Sequence, residues 1–135
     1  MHTNRVIKSV LILAGLVALA IGGALLLAPQ AVYATYGITL GSNASQLSEI
    51  RAQGGALVAS GLLIGSGAFV SRLAFSAALL ASLLYLSYGA SRLFGIWLDG
   101  MPASGLLQAT ALEFLIGLMS LFALLKLTAG RPASA

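Results

Sequence analysis

Apolar residues gather into four long runs separated by short polar breaks, with none of the strict alternation of a half-buried strand. The runs cover about 9–28, 54–70, 73–94 and 104–126. Each is close to the roughly 20 residues that carry a helix across about 30 Å of hydrocarbon. The second run is the shortest, and Ser45 to Gln53 can extend it as a helix above the membrane. Pro29 ends the first. In lipid a backbone must satisfy its own hydrogen bonds, which leaves helices or closed barrels, and the alternating segments of a barrel are absent. The pattern predicts an all-α, integral membrane four-helix bundle. One domain, residues 1–135, accounts for all four spans.

Composition sharpens this reading. Of 135 residues, 59% are hydrophobic and only 7% are charged, against about a quarter charged in an ordinary soluble domain. Too few charges remain to cover a soluble surface, and the mean hydropathy is +1.02. There is no cysteine, hence no disulfide, thiolate metal site or thiol nucleophile. The single histidine, His2, sits at the terminus, so no metal or haem site built from histidines is expected, and no cofactor. The formal charge of +4 is scattered among apolar runs and makes no phosphate-binding stripe, so nucleic acid is not an expected partner.

The breaks fix a topology. The second break is little more than Ser71–Arg72, which predicts a tight hairpin between spans two and three. The third carries Asp99-Gly100 and Pro102, a turn signature. The first, Pro29 to Gln53, is a long external loop whose Tyr33 and Tyr36, like Trp97 near the third break, suit a membrane interface. Arg5, Lys8, Arg72, Lys126 and Arg131 fall on one side with no acid among them, whereas Arg51 and Arg92 on the other are balanced by Glu49 and Asp99. The positive-inside rule then places both termini in the cytoplasm (N-in/C-in) and the protein in the cytoplasmic (inner) membrane. A cleaved signal peptide is the competing reading of the first run, with Arg5 and Lys8 ahead of it and Val32-Tyr33-Ala34 after it, but the run exceeds the usual signal core. A glycosylation sequon, Asn43-Ala44-Ser45, falls in the external loop.

Helices in lipid associate through close packing of small residues. Ala14, Ala18 and Gly22 recur every fourth residue in span one, and Gly61 and Gly65, below Gly54, form GxxxG in span two. The spacing fits packing inside one bundle and, alternatively, a homodimer face.

Charges inside lipid are expensive and raise a functional hypothesis. Glu113 falls near the middle of span four, on one face with Thr110, Gly117 and Ser120. Tyr85, Tyr88 and Arg92 form a matching stripe on span three. From the helical rise, Arg92 and Glu113 differ in height by about 10 Å, a gap that side-chain reach, helix tilt or a water can close. Asp99 is an alternative partner for Arg92. Glu49, Arg51, Arg92, Asp99 and Glu113 thus collect in the outer half of the bundle. Two readings compete: a buried ion-pair network that fixes helix register, or a pocket in which Arg51 and Arg92 hold an acidic or polar head group while Tyr85 and Tyr88 wall its apolar part. Glu113 would be neutral if unpaired and charged if paired with Arg92.

Arg51-Ala52-Gln53-Gly54-Gly55 opening the second span, Arg92 closing the third, Asp99-Gly100-Met101-Pro102 in the turn and Glu113 within the fourth resemble the DUF4345 family. The resemblance covers nearly the whole chain. It implies a small four-span bacterial membrane protein without assigned biochemical function, loosely similar to DoxX-like proteins, and it brings no catalytic residues. Three functions remain open. The first is an accessory or binding protein holding a lipid, quinone-like or other amphiphilic molecule, or a partner, at the outer polar cluster. The second is a small proton-coupled transporter built on Glu113. The third is a structural subunit of a larger membrane complex. Catalysis is not expected, because the serines lack a histidine partner and no cofactor motif is present.

Overall fold

The computed structural model describes residues 4–131, so His2 lies outside it. The described residues are all-helical: α1 (Arg5–Leu27), α2 (Pro29–Ala34), α3 (Ala44–Ser66), α4 (Ala74–Asp99) and α5 (Ser104–Ala129), with a single 3-10 turn at Ser71–Leu73. Three stretches are long and apolar enough to cross a membrane: Arg5–Leu27, Ser71–Asp99 and Ser104–Ala129. The four-span expectation is therefore met by length and composition in three helices. α3 falls short because its first half carries Gln46, Ser48, Glu49, Arg51 and Gln53.

Local chemistry explains the boundaries. Asn4 caps α1 by accepting a hydrogen bond from the Ile7 amide at 2.8 Å. Asn43 caps α3, accepting from the amides of Ser45 at 2.9 Å and Gln46 at 3.2 Å. The asparagine of the sequon is thus engaged as a helix cap. Pro29 ends α1 but also opens α2 from its first position, where a missing amide is harmless. The expected loop therefore begins with a short helix, which closes on Gly37 at φ 75°. Gly100, at φ 94°, turns the chain out of α4 in a conformation that disfavours a side chain.

α1 packs chiefly against α3, and α4 against α5. The expected tight hairpin of spans two and three is loosened: α3 stops at Ser66, the chain turns through Gly67–Leu73, and α3 meets α4 less closely than it meets α1. The α1–α3 contact is backbone on backbone. A Cβ placed on Gly22 would lie 2.7 Å from the Gly54 carbonyl oxygen, and one on Gly61 would lie 2.9 Å from that of Gly15. The glycine stripe is thus filled within the chain. The α4–α5 contact sets glycine against side chain, Gly89 against the Phe114 ring and Gly117 against Leu86.

The main core joins Ile7, Leu11, Ala14 and Ala18 to Ile64, Ala74, Ala77, Ala78, Ala81, Ile116, Ala123 and Leu127. A smaller cluster, Leu25, Ile50 and Leu57, lies against Val32, Tyr33 and Tyr88. We call the region of the first the terminal end and that of the second the loop end. On α5 the expected stripe of Thr110, Glu113, Gly117 and Ser120 is buried throughout.

Candidate functional site

The inward face of α4 changes character along its length. Ala74, Ala77, Ala78 and Ala81 are followed on the same face by Tyr85, Tyr88 and Arg92. Where the face is alanine the helices pack shut. Where it becomes tyrosine and arginine, a cavity of about 460 Å³ opens between the helices. Leu25 of α1, Leu57 of α3, Leu84 of α4 and Leu106 of α5 give it apolar walls, and Val32, Tyr33, Tyr36 and Ile38 of the first loop complete the lining.

Arg92 and Glu113 both line this cavity. The Nε of Arg92 donates to both carboxylate oxygens of Glu113, each at 3.0 Å. It is the one ion pair among the described residues. The Glu113 side chain is 11% exposed and that of Arg92 is 32% exposed. This is not the fork-to-fork geometry in which two nitrogens of an arginine engage a carboxylate. Among the described residues, the two terminal amino groups of Arg92 donate to no protein acceptor. The guanidinium also stands 5.9 Å from the centroid of the Tyr88 ring, within cation–π range.

Two further hydrogen bonds set the surrounding side chains. Tyr85 donates to the Ala14 carbonyl of α1 at 2.5 Å, tying α4 to α1 at the floor of the cavity. Gln53 Nε2 donates to the Tyr88 hydroxyl at 2.8 Å, linking α3 to α4 across it. The Tyr88 hydroxyl proton and the Gln53 carbonyl oxygen have no protein partner among the described residues.

The outer charges do not form a network. Glu49 and Asp99 are exposed. Arg51 turns away from the cavity and donates from Nη1 to the Leu26 carbonyl of α1. A helix leaves its last four carbonyls without intrahelical partners, and its C-terminus favours a cation. Arg51 is therefore bound at the end of α1 rather than in the cavity. Of the residues singled out in the sequence, Arg92, Glu113, Tyr85 and Tyr88 come together, while Arg51, Glu49 and Asp99 do not line the cavity. Sequence reasoning missed Gln53, and it took Tyr33 and Tyr36 for interface residues only. Gln53 carried one usable signal, a polar side chain where the second apolar run begins.

Among the described residues, no group of three His, Cys, Asp or Glu side chains could hold a metal ion. A domain of unknown function, DUF4345, matches residues 6–124. The chain belongs to the DUF4345 family. The match takes in α1 to α4 and most of α5, so the whole cavity lies within the DUF4345 region. No curated protein and no solved structure matches the chain.

Proposed function

We propose that this DUF4345 protein is an accessory or binding protein of the cytoplasmic membrane, and that the cavity at its loop end holds an amphiphilic small molecule. In this reading both termini and the Ser71–Leu73 turn face the cytoplasm, beside Arg5, Lys8, Arg72, Lys126 and Arg131, in keeping with the positive-inside rule. α3 supplies the fourth span. Its apolar part, from Gly54 to Ser66, spans about 20 Å at the helical rise, and the apolar turn Gly67–Val70 follows it. Its polar first half then stands with α2 at the outer surface.

One observation carries the binding reading: an arginine held by its Nε in an apolar cavity, with both terminal amino groups unengaged by protein. Ligand sites commonly combine apolar walls with a few convergent polar groups, in cavities of about 300–1,000 Å³. The polar part of the ligand would meet Arg92, Tyr88 and Gln53, and its chain or ring would lie on the leucine walls. Glu113 is engaged by Arg92, so the transport reading gains no lone carboxylate from this geometry.

Native mass spectrometry of the protein extracted with its own lipids tests this function. The expected result is a reproducible bound mass that disappears in Arg92→Ala. A bare wild-type protein would contradict it.

A further inference from the structure

The cavity's charge balance points to the class of ligand. Arg92 is the one basic residue and Glu113 the one acidic residue that line the cavity, and they form an ion pair. Arg51, the next cation along the bundle, is bound to the Leu26 carbonyl. An anionic head group placed on Arg92 would therefore share one positive charge with Glu113, leaving net negative charge between apolar walls. Such like-charge crowding is poorly screened where the dielectric is low. A cationic head group would meet the Arg92 charge while Glu113 is already engaged.

Hydrogen-bonding capacity adds a second constraint. Apart from the Tyr33, Tyr36 and Ser91 hydroxyls, which can donate or accept, the lining groups without protein partners include more donors than acceptors: the two terminal amino groups of Arg92 and the Tyr88 hydroxyl proton. The Gln53 carbonyl oxygen is available as an acceptor. The complementary head group supplies oxygen acceptors without supplying charge.

We infer that the cavity takes an uncharged amphiphile with a carbonyl- or ester-bearing head, in preference to a phosphate, a carboxylate or an ammonium. This rests on the binding reading above and adds the ligand class to it. In this account Glu113 is the specificity-determining residue. It pairs with Arg92 through Nε alone, which leaves the terminal amino groups of this cavity-lining side chain without a fixed partner.

Binding of monooleoylglycerol, oleyl phosphate and oleylamine to the purified protein in neutral detergent tests the inference, since the three share a chain and differ in head-group charge. The wild type is expected to bind monooleoylglycerol at least about tenfold more tightly than either charged probe, the factor that about 1.4 kcal/mol of charge mismatch produces. Glu113→Gln keeps an oxygen acceptor for Arg92 and removes the negative charge, so it is expected to shift preference towards oleyl phosphate. Tighter wild-type binding of oleyl phosphate or oleylamine would overturn the inference and leave the binding reading standing. An unchanged ranking in a folded Glu113→Gln protein would also overturn it. If no probe binds the wild type, the binding reading itself fails. The wild-type ranking serves as the test should Glu113→Gln not fold.

Discussion

The two ends of the molecule are built from the same four long helices and differ in what those helices present to one another. At the terminal end the facing residues are alanine, leucine and isoleucine, and Leu11, Ala14, Ile64, Ala77, Ala78 and Ala81 are fully buried. At the loop end α4 presents Tyr85, Tyr88 and Arg92, and a cavity remains between the helices. Small side chains let helix backbones approach, and lipid supplies little hydrophobic drive to close a gap that larger ones leave. The cavity is thus a consequence of side-chain size on one face of α4. The ion pair and the tyrosine hydrogen bonds tie the helices to one another around it.

Substitutions can break this contrast in order of expected effect. Gly54→Leu forces a side chain into the Gly22 carbonyl and should separate α1 from α3. Overpacking against backbone belongs to the large tail of single-residue effects, about 4 kcal/mol or more. A sharp fall in the melting temperature of the detergent-solubilised protein, with loss of Gln53–Tyr88 contact, checks it. A melting temperature at the wild-type value would deny the close α1–α3 crossing. Arg92→Ala leaves Glu113 without its partner and should cost about 3 kcal/mol. If Arg92→Ala and Glu113→Ala each melt like the wild type, the pair is not what holds the loop end.

Smaller changes sharpen the picture. Asn43→Ala removes the cap of α3 and should cost about 1 kcal/mol. Faster amide exchange confined to the first turn of α3 is the expected signature. Tyr85→Phe loses the hydrogen bond to Ala14 and should also cost about 1 kcal/mol. Asp99→Asn, at an exposed position without an ion pair, should stay within about 0.5 kcal/mol of the wild type. A large effect there would reinstate the outer charge network.

Much of this arrangement can be read from the residues alone. The apolar runs locate the long helices, because a membrane span requires an uninterrupted apolar length. Helical periodicity puts Arg92 and Glu113 on inward stripes, but helical rise leaves about 10 Å between their heights and Asp99 as a rival partner, and only tertiary geometry closes the pair. Other features depend on tertiary geometry. Arg51 resembles a cavity residue by its height, yet the nearest unsatisfied group is a helix-end carbonyl on α1, which outcompetes a pocket. Pro29 both ends one helix and starts another, so a proline signal alone does not reveal α2. The apolar stretch Gly67–Val70 continues a hydrophobic run, although the helix stops at Ser66 and the chain turns there. Tyr33 and Tyr36 become part of the cavity lining only because α2 folds the loop back over α1 and α3.

A molecule held in the gap at the loop end should be lost when the gap is filled. Ala109 lines the cavity one helical turn before Glu113, so Ala109→Trp fills the space while both members of the ion pair remain. Native mass spectrometry of this variant beside the wild type, both extracted with their own lipids, is the most direct measurement. The expected result is a bound mass on the wild type that is absent from Ala109→Trp. The same bound mass at equal occupancy on both proteins would contradict it.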